Sequence, residues 1–209
     1  MTTTVVVTNL KGGTSKTTSA AFIAHALSER GQSVLVVDAD PQGSALRWSE
    51  DADWTIPVIR LDSPKLHRTL PGVAGGRYDA IVIDTPPNDE GIVGAALRVA
   101  THVVIPMAPT PAEYERLPNV GELIESVAPF RNDDPVTAVL LTRAIANAAS
   151  SRAYRELVRD DGFHVLRTEV RRLERFSQSM GAPVDRANAS AYGDAVDELL
   201  TLAPQEVSR

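Results

Sequence analysis

Short apolar runs alternate with longer mixed stretches along most of this chain. The runs at 5–7, 34–37, 81–83 and 103–105 consist of Val, Ile and Leu without an interrupting polar residue. Such runs are typical of strands that are buried on both faces of a parallel sheet. Several mixed stretches place apolar residues at helical spacing, as in 17–30, which ends at Gly31. We therefore predict strands and helices in near alternation.

The predicted strands cover 5–7, 34–37, 55–61, 79–84, 103–105 and 136–141. The predicted helices cover 17–30, 44–50, 91–100, 113–127 with a break at Pro118, 148–160 and 191–202, whereas 163–180 has a mixed pattern. This order predicts a doubly wound α/β fold, in which a mostly parallel sheet is flanked by helices. The chain has no repeat, low-complexity tract or long linker, so we expect one domain over residues 1–209.

Composition narrows the class of protein further. A hydrophobic content of 43% and a charged content of 23% are typical of a soluble globular domain. No apolar run approaches the roughly 18 residues of a membrane span, and the N-terminus resembles no signal peptide, so we expect a cytoplasmic protein. The absence of cysteine excludes disulfides, thiolate metal sites and iron–sulfur clusters.

The segment Asn-Leu-Lys-Gly-Gly-Thr-Ser-Lys-Thr-Thr at 9–18 has the composition of a phosphate-binding loop. Two adjacent glycines allow the backbone N–H groups to turn inward and form a nest for phosphate oxygens before a helix. A lysine followed by threonine matches the phosphate lysine and the Mg²⁺-binding hydroxyl of a Walker-type loop. We expect the cradle to comprise Lys11, Gly12, Gly13, Thr14, Ser15, Lys16, Thr17 and Thr18.

Two positions of this segment depart from the strict loop pattern. Leu10 and Ser15 stand where glycine is expected, and Lys11 is an additional cation at the start of the loop. Glycine at the sixth loop position lets the backbone approach phosphate with a torsion that residues with a β-carbon disfavour. We expect Ser15 to preserve the N–H donor and nucleotide binding but to alter affinity or rate.

Aspartates follow two of the predicted strands directly. Asp38-Ala-Asp40-Pro-Gln comes after the second strand, and Asp84-Thr-Pro-Pro ends the fourth. Ligands of open parallel sheets bind at the carboxyl ends of strands, where these aspartates and the loop would meet. An aspartate there can hold Mg²⁺ beside a loop hydroxyl, although aspartates after strands also commonly cap helices.

Taken together, the motifs resemble the ParA branch of deviant Walker ATPases, which are P-loop NTPases. The resemblance rests on Lys11-Gly-Gly-x-x-Lys16-Thr-Thr, Asp38-x-Asp40-Pro-Gln and Asp84-Thr-Pro-Pro, and Ile105-Pro with Pro109-Thr-Pro fits a later family segment. It implies an Mg²⁺-dependent ATPase with ATP and ADP as ligands. By family position alone, residues 106–111 are expected near the adenine.

The resemblance also implies a role for each motif residue. The catalytic residues would be Lys16, which binds the β- and γ-phosphates, Asp40, which orients or deprotonates the attacking water, and Lys11. Lys11 would reach the phosphates held by the other subunit of an ATP-bound homodimer, so hydrolysis would depend on dimerisation. The implied metal ligands are Thr17, Asp38 and Asp84.

Charge is distributed unevenly, and this bears on partners. The net charge is −6, yet residues 143–175 carry eight Arg against five acidic residues, which leaves −9 for the rest. Partition proteins of the ParA type bind DNA non-specifically as ATP dimers through basic residues in the C-terminal half. The candidate DNA contacts are Arg152, Arg155, Arg159, Arg171 and Arg172, of which the first three share one helical face. The alternative is a solvated face in which Glu156 and Asp160 pair with arginines.

The first predicted strand begins near Met1, which leaves no room before it for a helix-turn-helix domain. We therefore expect a short ParA form that is nucleoid-associated when ATP-bound and stimulated by a separate centromere-binding, ParB-like protein. A MinD-like membrane ATPase would require a basic and bulky-apolar C-terminal helix, but residues 194–209 are acidic and lack aromatics, so no membrane binding is expected. A metabolic phosphotransferase or ligase on a related fold remains an alternative.

Overall fold

The computed structural model describes residues 2–203, and within this range seven strands form one sheet. All neighbouring strands are parallel, in the order β3-β2-β4-β1-β5-β6-β7. The strands are Thr3–Val7 (β1), Val34–Asp38 (β2), Val58–Arg60 (β3), Ala80–Asp84 (β4), His102–Met107 (β5), Val136–Ala144 (β6) and Val165–Arg171 (β7). The predicted doubly wound parallel fold is therefore confirmed.

Nine α-helices lie within the described residues. They are Lys16–Glu29 (α1), Ser44–Asp51 (α2), Leu66–Ala74 (α3), Glu90–Leu97 (α4), Pro111–Tyr114 (α5), Leu117–Val127 (α6), Ala149–Asp160 (α7), Glu174–Ser177 (α8) and Ala191–Thr201 (α9), with a 3-10 turn at Ala128–Phe130. None of the helices within 2–203 is both long enough and apolar enough to span a membrane. The last six residues of the acidic tail 194–209 lie outside the described residues.

Two of the sequence predictions are incomplete. The pattern does not predict helix α3 because Pro71 and Gly72 interrupt it, yet Leu66, Leu70 and Ala74 are buried at four-residue spacing. The strand expected at 55–61 is reduced to β3, since Pro57 has no N–H and offers only its carbonyl, which accepts from Val36.

Two further segments differ in detail from the sequence pattern. The helix expected at 113–127 is divided into α5 and α6, so the break lies just before Pro118, at the start of α6. The mixed segment 163–180 contributes β7 at the sheet edge and then α8.

The sheet separates two apolar cores. Alternate residues of the central strands face opposite sides, so that Val5 and Val7 pack with α1 and α9 while Val6 packs with α3, α4 and α6. The register places Asp84 opposite Val7 on one side and opposite Asp38 on the other. Because β4 lies between β1 and β2, the carboxyl ends of the phosphate-loop strand and of both aspartate-bearing strands lie side by side.

Candidate functional site

The loop between β1 and α1 adopts a compact turn that presents the beginning of α1. Gly13 and Ser15 both have left-handed backbones, with φ of 73° and 68°. Ser15 precedes the first residue of α1, and its side chain makes no capping hydrogen bond, although its carbonyl accepts from the Ser19 N–H at 2.8 Å. Within the described chain the N-terminal donors of α1 are thus left for an anion, as a phosphate cradle requires.

Lys16 lies inside this loop. Its side chain is buried, and its Nζ donates to the Lys11 carbonyl at 2.8 Å. Burial lowers the pKa of Lys16, and the negative charges of Asp84, Asp40 and Glu113 oppose that lowering. The ammonium group therefore stands between the loop backbone and a set of carboxylates, where a phosphate would gain a charge-assisted hydrogen bond.

Asp84 is completely buried at the end of β4. Burial raises its pKa to about 7, while the nearby Thr17 hydroxyl and Lys16 act in the opposite direction. Neither carboxylate oxygen receives a hydrogen bond of ordinary geometry from the described residues. A buried carboxylate that lacks such hydrogen bonds is suited to bind a cation. Oxygen ligands from Asp84 and Thr17 are of the kind that Mg²⁺ prefers.

Asp38 and Asp40 organise the turn after β2. One Asp38 oxygen accepts from the Asp40 N–H at 3.1 Å and the other from the Leu46 N–H at 2.9 Å. Asp40 is half-buried, and its carboxylate accepts from the Gln42 N–H at 2.9 Å. Burial raises the pKa of Asp38. The structure thus gives Asp38 a turn-forming role, and its predicted part in Mg²⁺ binding stays a prediction.

Among residues 2–203 there is no cluster of three or more His, Cys, Asp or Glu side chains able to hold a metal by themselves. A site with few protein ligands fits Mg²⁺, which is commonly bound by one or two protein oxygens and completes its coordination shell with phosphate and water.

A cavity of about 560 Å³ extends from the phosphate loop across the ends of three further strands. Part of its lining was expected, since Ala108 and Thr110 belong to the segment 106–111. The loop 13–18 was also expected, whereas Glu113 on α5, the ends of β6 and β7 with the turns after them, and the helices α8 and α9 supply the rest, most of which sequence reasoning missed. The lining comprises Gly13, Ser15, Thr18, Ala108, Thr110, Glu113, Thr142, Arg143, Ile145, Val170, Arg171, Arg172, Leu173, Phe176, Ser177 and Tyr192.

The five candidate DNA contacts differ in how accessible they are. Arg152 and Arg159 are exposed on α7. Arg155 is turned toward β7, where it donates to the Leu166 and Arg167 carbonyls and pairs with Glu169 at 2.7 Å. The remaining two, Arg171 and Arg172, are exposed beside the cavity. Arg155 is therefore the least available of the five, and DNA contact by the others stays a prediction.

Comparison with known proteins agrees with this geometry. Residues 5–182 match the CobQ/CobB/MinD/ParA nucleotide-binding domain. The chain belongs to the ParA/MinD superfamily. Within it, the chain is 32% identical to the maintenance of carboxysome distribution protein A of Halothiobacillus neapolitanus over 202 residues, which cover 94% of this chain and 92% of that protein.

Two further proteins are similar to the chain. The chromosome-partitioning ATPase Soj of Thermus thermophilus is 29% identical over 157 residues, covering 61% of this chain and 62% of Soj. Cobyrinic acid a,c-diamide synthase of Mycobacterium smegmatis, solved with ADP and magnesium, superposes with a TM-score of 0.76 at 24% identity over 96% of this chain and 94% of that one. The last likeness shows the fold, and the family membership confirms the resemblance drawn from the three motifs.

The left-handed Ser15 leads to a stability prediction. A residue with a β-carbon in this conformation is disfavoured by about 1 kcal/mol relative to glycine, so Ser15→Gly is expected to raise the free energy of unfolding by roughly 0.5–1 kcal/mol and to change ATP affinity. Ser15→Ala is the matched control, because it removes the hydroxyl and keeps the β-carbon. Denaturant unfolding and calorimetric titration measure both effects, and equal behaviour of the two variants would refute the backbone explanation.

The buried Asp84 leads to a pH prediction. Its folded-state pKa of about 7 lies above the ordinary value of 3.8, so its contribution to the free energy of unfolding falls as pH rises from about 4 to about 7. Asp84→Asn is therefore expected to stabilise the nucleotide-free protein by roughly 1–4 kcal/mol at pH 8, with the gain vanishing near pH 4.

Asp79→Asn provides a control of opposite sign. Hydrogen bonds from Ser33 lower the pKa of Asp79 below its ordinary value of 3.8, so this variant loses stability by an amount that stays nearly constant from pH 8 to about pH 4 and shrinks only at lower pH. Thermal unfolding at pH 4, 6 and 8 without nucleotide tests both variants. A pH-independent effect of Asp84→Asn would contradict the burial argument.

Proposed function

We propose that this chain is an Mg²⁺-dependent ATPase that dimerises with ATP and positions a cargo on non-specific DNA. The observation that carries the proposal is the meeting of three groups at one edge of the sheet. Lys16 begins α1, the nearby Asp84 carboxylate receives no hydrogen bond of ordinary geometry from the described residues, and Lys11 supplies a second cation at the loop entrance.

The residues divide the chemistry between them. Lys16 and the N-terminal amides of α1 bind the phosphates, while Thr17 and Asp84 would hold Mg²⁺, with Asp38 behind them. When bound, Mg²⁺ neutralises charge on the β- and γ-phosphates. Asp40 would orient or deprotonate the water that attacks the γ-phosphate. The turn contacts of Asp38 and Asp40 restrict the position of that carboxylate.

In this proposal, hydrolysis depends on dimerisation because of Lys11. Within residues 2–203 its ammonium group makes no hydrogen bond or ion pair, whereas its backbone N–H donates to Asn9 Oδ1 at 3.0 Å and its carbonyl accepts from Lys16. The backbone of Lys11 thus shapes the loop of its own subunit. Its side chain is left to reach a phosphate of a second copy, as the added lysine of deviant Walker loops would.

The cargo is either a DNA molecule or a protein assembly. The similarity to a carboxysome distribution protein over 94% of this chain supports an assembly, and the similarity to the chromosome-partitioning ATPase Soj supports a chromosome. In both cases a separate ParB-like adaptor would stimulate hydrolysis, and the ATP form would associate with the nucleoid. A metabolic phosphotransferase or ligase, the alternative on this fold, would depend instead on a small-molecule acceptor.

DNA binding provides the experimental test. We expect the wild type to bind non-specific DNA with ATP and Mg²⁺ but not with ADP. The double substitution Arg152→Ala/Arg159→Ala is expected to weaken binding at least tenfold. Because each lost phosphate contact removes about 0.9 from the slope of log K against log salt, the loss of four contacts in a dimer would reduce that slope by about 3–4.

The matched control is Lys65→Ala/Arg68→Ala, which removes two exposed charges at the start of α3. Fluorescence anisotropy across a salt series measures both double variants. Equal losses in the two would contradict a contact surface on α7, and equal DNA binding with ATP and ADP would contradict the switch.

A further inference from the structure

An ion pair between a buried glutamate and a partly exposed arginine spans the wall of the cavity. Glu113, on the short helix α5, is only 5% exposed. One of its carboxylate oxygens accepts from the Ala108 N–H at 2.6 Å, and the other accepts from Arg143 Nη2. Glu113 therefore connects the loop after β5 with the end of β6, and Ala108, Glu113 and Arg143 all line the cavity.

The backbone at Arg143 is unusual. Its φ of 53° lies in the left-handed region, which a long side chain with a β-carbon disfavours. Such conformations persist where surrounding contacts enforce them, and they cluster at functional sites. Arg143 lies where the pairing of β6 with β7 shifts register between Leu141 and Ala144, and its guanidinium group donates to the Glu113 carboxylate.

Two hydrogen-bonding groups at this wall have no partner among the described residues. They are Arg143 Nε and the hydroxyl of Thr142, a residue that is 1% exposed. Buried groups of this kind are normally satisfied, and leaving them unpaired is unfavourable. Both residues line the same cavity, so a ligand in that cavity can supply the missing partners.

The position of this wall indicates which part of a nucleotide it would meet. Strand β6 is the second neighbour of β1 in the sheet order, and adjacent strands lie about 4.8 Å apart. Thr142 and Arg143 therefore lie roughly 10 Å across the sheet from the strand that leads into the phosphate loop. A nucleotide with its phosphates in that loop would place its sugar and base toward β6.

We propose that Glu113 is a positioning residue that holds Arg143, together with Thr142, against the nucleoside half of ATP. This inference rests on the proposed function, because it takes the cavity to be the ATP site. Two alternatives predict different behaviour. Glu113 could act on phosphate binding through its charge near Lys16, or it could merely support the fold.

The test compares ATP with inorganic tripolyphosphate, which carries the phosphates without the nucleoside. Glu113→Gln keeps the side-chain size and an acceptor for the Ala108 N–H, but it removes the charge that holds Arg143. We expect the Kd of Mg-ATP to rise about tenfold, the value of one charge-assisted hydrogen bond, while the Kd of tripolyphosphate changes less than twofold. Calorimetric titration measures both ligands.

Two further variants keep the inference falsifiable if Glu113→Gln is unstable. Thr142→Val preserves the volume and removes the hydroxyl, so it too is expected to weaken ATP and spare tripolyphosphate. In an Arg143→Ala background, Glu113→Gln is expected to have no further effect on ATP, since the residue it positions is gone.

Several outcomes would overturn the inference. Equal losses for both ligands would assign Glu113 a structural role, and a change confined to tripolyphosphate would assign it to the electrostatics of Lys16. An unchanged ATP affinity in Glu113→Gln and Thr142→Val would refute the contact itself. A wild-type chain that binds tripolyphosphate no more weakly than ATP would refute the proposed ATP site, and this inference would fall with it.

Discussion

Lys16→Ala is expected to raise the Kd of Mg-ATP at least about 100-fold, equivalent to roughly 2.7 kcal/mol. The side chain of Lys16 is buried in the loop, and it is the cation that balances Asp84 and Asp40. Without it, the phosphates lose charge-assisted hydrogen bonds of about 1.5–3 kcal/mol each. They would also face two carboxylates that no longer have a neighbouring positive charge.

Calorimetric titration with ATP and ADP measures this loss. Lys65→Ala is the matched control, because it removes an exposed lysine from a site outside the cavity. Thermal unfolding without nucleotide establishes that Lys16→Ala is folded. An ATP affinity within threefold of the wild type would place the phosphates elsewhere and contradict the assignment of this loop as the phosphate site.

Lys11→Ala is expected to separate nucleotide binding from assembly. Its affinity for ADP should remain within a few-fold of the wild type, because the backbone contacts that shape the loop do not depend on the side chain. Its ATP-dependent dimer should be lost, and hydrolysis should fall by about 10³, at the lower end of the effect of a cation supplied in trans. Steady-state phosphate release measures the rate.

Much of the fold follows from local pattern. Runs such as Val34–Val37 and Ile81–Ile83 are buried throughout, so their apolar composition identifies central strands without knowledge of their partners. The helix α3 escapes prediction because Pro71 and Gly72 weaken its local signal, whereas its buried face is decided by packing against the sheet. The local pattern therefore identifies strands that are buried on both faces. It misses a helix such as α3, whose position is decided by the packing of a single face.

One end of the candidate site can be predicted from local sequence, and the opposite wall cannot. The proposed phosphate end lies in contiguous motifs, so the sequence alone suffices to nominate Lys16, Thr17 and Asp84, and the strand register brings the ends of β1 and β4 side by side. The opposite wall is assembled from β6 and β7, and Thr142 and Arg143 belong to no motif. Their proximity to Glu113 depends on a contact between residues 30 positions apart, which no local pattern encodes.

Arg155 illustrates the limit of helical periodicity. Spacing predicts that it shares one face with Arg152 and Arg159, and all three do lie on α7. Arg155 nevertheless satisfies two carbonyls of the edge strand β7, while Glu198 accepts from the Arg167 and Thr168 N–H groups of that strand. Helical periodicity tells which residues share a face of α7, but it does not tell that one of them hydrogen-bonds to the backbone of the neighbouring strand.

We propose that ATP joins two copies of this chain and that Lys11 of each copy completes the site of the other. Size-exclusion chromatography with light scattering tests it in ATP, in ADP and without nucleotide, on the wild type, Asp40→Ala and Lys11→Ala. We expect ATP-specific dimers for the wild type and longer-lived dimers for Asp40→Ala, with Lys11→Ala monomeric throughout. Monomers of Asp40→Ala in ATP, or an undiminished dimer of Lys11→Ala, would contradict it.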